Sequence, residues 1–104
     1  MAEMLRFAEF WPLVRAGNGA ARRALVRHYR ADIVRAVRLA GAGAVPPVAV
    51  DPEYVCRTVF SGFFDRVVDG PYRVERSHDV RQLLTMMARN VVVDAARRQH
   101  LRAA

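Results

Sequence analysis

A chain of 104 residues is one domain's worth, and with 53% hydrophobic residues it is too apolar for a disordered tail. No apolar run approaches the roughly 20 residues of a membrane span, the opening residues carry acids where a signal peptide wants only positive charge, and a single cysteine, Cys56, permits no internal disulfide. The net charge of +7 rests on seventeen arginines and no lysine, which favours a polyanionic partner, most simply nucleic acid.

These bounds predict one domain over residues 1–104, without a membrane span, in a reducing cytoplasm. In chain order, the segment 4–16 carries Leu5, Phe7, Phe10, Trp11, Leu13 and Val14, too much apolar bulk to lie free in water. Pro12 is comfortable only near a helix start, so the helix is expected from Phe10, with a looser arm or separate turn before it. Gly17-Asn18-Gly19 then punctuates the chain, with Asn18 able to cap the second helix. The spacing predicts that helix over 20–40, burying Val26, Tyr29, Ile33, Val37 and Ala40. Arg23, Arg27, Arg30 and Arg38 gather on an adjacent face, read as a solvated exterior. Residues 41–50, GAGAVPPVAV, form a breaker-rich connector.

Asp51-Pro52-Glu53 is the strongest start signal: an N-cap acid, proline at the first helical position and a carboxylate at the positive end of the dipole. The helix it opens is expected to run over 52–68. Cys56, Val59, Phe60, Phe63 and Val67 form its buried stripe, Tyr54, Arg57, Thr58, Ser61 and Asp65 its outer side, and Gly62 a place for close approach. Residues 69–76 make a loop opened by Gly70-Pro71. Its Tyr72 stands beside Arg73 and near Arg76, and an aromatic among arginines suits an unstacked base.

The last helix is expected over 78–101. At about 100° per residue, Val80, Leu83, Leu84, Met87, Val91 and Ala95 form its apolar seam, while Gln82, Arg89, Asn90 and Arg97 lie on or beside the opposite side. Asp79 with Gln82 resembles a capping box, Ser77 is the competing N-cap, and Arg97, Arg98, His100 and Arg102 load the last turns with positive charge.

No catalytic constellation emerges. His28, His78 and His100 share no ligand spacing with one another or with Cys56, so no metal and no cofactor is expected. Ser61 and Ser77, the only serines, stand in no nucleophile-elbow pattern, and GAGAVP lacks the lysine and the following helix of a phosphate loop. The expectation is a binding protein, not an enzyme, with Cys56 as a small core residue.

With these residues placed, the chain over 13–98 resembles region 2 of the extracytoplasmic-function sigma factors, in a form similar to those of planctomycetes. The segments that carry the likeness are LVRAGNGAARRALVRHYRADIVRAVRL, DPEYVCRTVFSGFFDRV and QLLTMMARNVVVDAARR, in the family's order and approximate spacing. The resemblance implies an all-α, compact four-helix domain that binds core RNA polymerase and helps recognise and open the promoter minus-ten element. It implies that Tyr54, Arg57, Thr58, Ser61 and Asp65 meet the clamp helices of the largest polymerase subunit. It also implies that Tyr72, Arg73, Arg76, Gln82, Arg89, Asn90, Arg97 and Arg98 meet the non-template single strand.

The chain departs from the family pattern at Tyr54 and at Arg57-Thr58, where an acid and a glutamine-acid pair are common, and at Leu83, where a tryptophan is usual. No second, region 4 domain is expected within these 104 residues. Two other readings compete: a helical module that binds an acidic, anti-sigma-type partner without reading a promoter, and a basic membrane-surface protein anchored by Phe7, Phe10 and Trp11.

Overall fold

Four α-helices build the computed structural model, which describes residues 6–103: α1 (Phe7–Arg15), α2 (Gly19–Gly43), α3 (Pro52–Phe63) and α4 (Ser77–Ala103). Among these residues there is no strand, and the four helices close on one core, so the fold is an all-α four-helix bundle. Leu5 and the start of the expected N-terminal arm lie outside the described residues.

α1 begins three residues before the expected start and takes Pro12 into its interior. Aromatic contact is the reason: Phe7 stacks on Trp11 with ring centroids 5.6 Å apart, and Trp11 meets the edge of Phe63 at 6.1 Å. The amide that Pro12 lacks would have served the carbonyl of Ala8, an exposed position where an unpaired carbonyl costs little. Trp11 is only 8% exposed, so it is a core residue and not the membrane anchor that one reading makes of it. The α1–α2 corner follows expectation. Gly17 turns the chain at φ +86°, which only glycine adopts at no cost, and the Asn18 side chain accepts from the Ala21 amide at 2.9 Å.

α2 buries Ala21, Leu25, Tyr29, Ile33, Ala36 and Val37. Its seam therefore runs through Leu25, while Val26 and Ala40 are only half-buried. The helix also outlasts its expected end. Gly41 is a contact point, not a breaker: its carbonyl accepts from the Val48 amide at 3.0 Å, and a Cβ there would lie 2.4 Å from the Val48 carbonyl oxygen.

α3 opens as its start signal predicts, with the Asp51 carboxylate accepting from the Glu53 amide at 3.0 Å. Val55, Cys56, Val59, Phe60 and Phe63 are buried, and the expected outer residues are all exposed. The last turn widens into a π-helical turn, Phe64–Val68, closed by an Asp69 amide that donates to the Phe64 carbonyl. Val67 and Val68, both within this turn, are buried. Gly62 receives a neighbour as expected, with the Met87 methyl of α4 3.2 Å from where a Cβ would stand.

α3 lies antiparallel to α2, since Glu53 at its start meets Arg30 and Phe64 at its end lies under Arg22. α4 also runs back along α2, starting against Tyr29 and Asp32 and reaching the end of α3 at Met87. Its buried seam is Val80, Leu84, Ala88 and Val92, one residue per turn. Leu83, Met87, Val91 and Ala95, expected in the seam, are half-buried at its flank.

Two measurements test this arrangement. Gly41→Ala forces a methyl into the Val48 carbonyl and is expected to lower unfolding stability by about 1–3 kcal/mol in denaturant titration. The Tyr29 hydroxyl donates to the Ser77 carbonyl at 3.3 Å and shares a second hydrogen bond with the Ser77 hydroxyl, so Tyr29→Phe is expected to cost about 0.5–1.5 kcal/mol at neutral pH. Burial raises the pKa of both Tyr29 and Cys56. A folded-state pKa above the unfolded value means stability intact below the unfolded pKa and lost as pH rises, Cys56 first and Tyr29 next. With no lysine to titrate in that window, the alkaline limb should shrink in Cys56→Ala and again in Tyr29→Phe.

Candidate nucleic-acid interface

The loop over 69–76 is held at both ends. On one side is the π-helical turn; on the other, the Asp79 carboxylate reaches back to accept from the Glu75 amide at 3.0 Å and the Arg76 amide at 2.9 Å. Asp79 is thus the third residue of α4 and supplies the reach-back half of a capping box, the position assigned in sequence to Gln82. Ser77 is the first helical residue rather than the N-cap, and its hydroxyl is taken by Tyr29. Half-buried Val74 pins the middle of the loop, leaving Tyr72, Arg73 and Arg76 exposed.

Along α4, Gln82, Arg89, Asn90, Arg97 and Arg98 are all exposed. On the helical wheel Gln82 and Arg89 fall on one edge of the outward face, and Asn90 and Arg97 on the other. Met86 and Val93 occupy the middle, 49% and 50% exposed. Sequence reasoning missed these two, although the wheel that placed Gln82 also turns them outward. Arg98 lies on the seam side, but beyond Val92 no residue of α4 is fully buried. Arg97 and Arg98 both lean on Asp94, through its carboxylate at 3.8 Å and its backbone carbonyl at 3.4 Å.

The outer face of α3, with the π-helical turn that continues it, presents Tyr54, Arg57, Thr58, Ser61 and Asp65 as a second exposed surface away from α4. The structure does not merge it with the α4 row. The arginines of α2 show further order that their spacing alone does not reveal. Arg22 bridges three elements, donating from Nε to the Val14 carbonyl at 3.0 Å, lying 5.0 Å over the Phe64 ring and reaching Asp69 at 3.8 Å. Arg30 pairs with Glu53.

Among the described residues no group of three or more His, Cys, Asp or Glu side chains comes together as a metal site. Cys56 is buried in the core beneath α3, its thiol pushed up by desolvation. What the surface offers is donors: arginine guanidinium groups, the Asn90 and Gln82 amides and the Tyr72 ring, beside exposed Met86 and Val93. That set can contact phosphate, hydrogen-bond a base edge and stack on a base.

The Glu75 amide, then the Arg76 amide, and after these the Arg76 and His78 charges, hold the Asp79 carboxyl below the usual carboxylate range. A lowered folded-state pKa places its contribution above the unfolded pKa and removes it as pH falls through the folded one. Asp79→Ala, which removes the acceptor, is therefore expected to lose amide-exchange protection at Glu75 and Arg76 at neutral pH, as the wild type does only in acid; hydrogen exchange read by NMR checks both.

Compared with protein-family models, with curated proteins and with solved structures, the chain matches none.

Proposed function

We propose that this domain is a transcription-initiation module of the sigma region 2 type, which binds core RNA polymerase through the outer face of α3 and captures the non-template strand of a melted promoter element through the 69–76 loop and α4. One observation carries the reading: every side chain to which the family resemblance assigns a contact is exposed, and none of them belongs to the core. In this reading Tyr72 stacks on an extruded base, Arg73, Arg76, Arg89, Arg97 and Arg98 neutralise phosphates, and Gln82 and Asn90 meet base edges. Met86 and Val93 would give unstacked bases an apolar bed. Opening a duplex costs a few kcal/mol per unstacked step, and capture of the freed bases offsets it.

On α3, the clamp helices of the largest polymerase subunit would meet Tyr54, Arg57, Thr58, Ser61 and Asp65. Arg57 and Thr58 stand where the family commonly has a glutamine and an acid, so this contact would rest more on shape and hydrogen bonding than on acidic charge.

Fluorescence anisotropy with single-stranded oligonucleotides of varied minus-ten-like sequence, with matched duplexes as controls across a salt series, tests the proposal. The expected result is a sequence-dependent preference for the single strand. Asn90→Ala should reduce that preference by about 1–3 kcal/mol between best and worst sequences. Arg97→Ala should weaken all sequences equally and flatten the log–log salt slope by about 0.7. Equal binding to every sequence, abolished by modest salt, would overturn the reading.

A further inference from the structure

Arg22, in the first turn of α2, lays one planar guanidinium group against three elements at the point where the 69–76 loop begins. Its Nε donates at 3.0 Å to the carbonyl of Val14, one of those that the end of α1 leaves without a partner inside the helix. The Phe64 ring centre lies 5.0 Å from the guanidinium carbon, and the Asp69 carboxylate 3.8 Å from a terminal nitrogen. Phe64 and Asp69 are also the two residues joined by the bond that closes the π-helical turn, in which the Asp69 amide donates to the Phe64 carbonyl at 3.2 Å. Arg22 therefore grips both ends of that closure.

Beyond Asp69 the chain has little slack. The Gly70 amide donates to the Val67 carbonyl, and a Cβ at Gly70 would collide with the Arg66 carbonyl oxygen, so the path out of the turn leaves no room for a side chain. Pro71 fixes the next φ, and exposed Tyr72 follows it directly. Half-buried Val74 then returns to the core. Only Gly70 and Pro71 separate the Tyr72 ring from the residue that Arg22 holds.

We infer that Arg22 is a positioning residue, which sets the direction in which the 69–76 loop leaves the π-helical turn and, through it, where the Tyr72 ring stands to stack on a base. The stacking role rests on the promoter reading above; the tether does not. An exposed ion pair such as that with Asp69 counts for little alone, because water and salt screen it and two side chains lose freedom. Here a single rigid plane makes all three contacts, so the Val14 carbonyl and the Phe64 ring orient the group that meets Asp69. Lysine would keep the charge but has no plane to lay on the ring. With its guanidinium taken up by these partners, Arg22 acts on a bound strand through Tyr72 and not by direct contact.

Amide hydrogen exchange read by NMR on the purified domain tests the tether, with circular dichroism melts verifying that each variant folds. In Arg22→Gln and in Arg22→Lys, protection at the Asp69 and Gly70 amides should fall about fivefold or more, while Glu75 and Arg76, held by Asp79 at the far end of the loop, change by less than about twofold. Asp69→Ala, at an exposed position away from the α1 corner, should show the same pattern more weakly. Loss spread evenly over all four amides, or none at Asp69 and Gly70, would overturn the tether. Single-strand anisotropy tests the stacking role. Arg22→Gln should weaken binding about three- to tenfold alone but less than about twofold beside Tyr72→Ala, and Arg22→Lys should behave as Arg22→Gln does. Equal loss in both backgrounds, or recovery of binding in Arg22→Lys, would make Arg22 a source of charge and overturn its positioning role. A wild type that binds every sequence alike would overturn the promoter reading instead, and the exchange comparison then decides the tether.

Discussion

The rest of the bundle depends on the line of contact between α2 and α4. Val80, Leu84, Ala88 and Val92 supply one fully buried side chain per turn, and each large one contributes roughly 1.5–3 kcal/mol. A seam that narrow has a consequence on the other side of the helix. Most of the circumference of α4 is free to carry polar and charged groups without weakening the core. The polar anchor between Tyr29 and Ser77, with Arg81 on Asp32, sets where along α2 the seam begins, and so sets which residues of α4 project past its end. α4 is consequently tethered at its start, packed in its middle and open at its end, where Asp94 with Arg97 and Arg98 supplies local support in the favourable acid-before-base order.

The loop before α4 inherits its position from the same core. The π-helical turn, with Val67 and Val68 both buried in it, sets the direction in which the chain leaves α3. Val74 returns to the core and Asp79 ties the next two amides, so the loop is fixed at its start, middle and end. Tyr72, Arg73 and Arg76 project between these fixed points. Holding a stacking ring and two guanidinium groups on a tethered loop lowers the entropy that a ligand must overcome on binding.

How much of this was legible in the sequence depended on how one-sided each helix is. α3 is strongly amphipathic, and its cap and outer face were readable residue by residue, while fully buried Val55 fell outside the expected stripe. α4 has apolar residues at 83, 84, 87, 88, 91 and 92, a band wide enough to admit two seams about one residue apart; the wheel placed the seam through Met87 and Val91, while the buried line runs through Ala88 and Val92. The start of α1 was misplaced because a local proline rule lost to a tertiary event, Trp11 held between Phe7 and Phe63. Exposure of the candidate contact residues on α3 and α4 was legible, since it is the complement of the core. The arginines of α2 were visible as a face, but that Arg22 reaches Phe64 and Asp69 while Arg30 reaches Glu53 depends on where α3 packs, a fact of relative placement that no periodicity encodes.

Charge chemistry sets how any of these faces is controlled. Every cationic side chain that carries the net charge is arginine, which keeps its proton at any pH a cell reaches, and the histidines at 28, 78 and 100 are all exposed. A lysine-rich surface could be silenced by desolvation or acetylation; this one responds to neither. The levers that remain are ionic strength, which shortens the reach of exposed charge to about 8–10 Å near physiological salt, and competition between anions for the same guanidinium groups. The second lever is the more selective, because the guanidinium fork rewards planar, bidentate partners such as carboxylates and phosphates over diffuse ones.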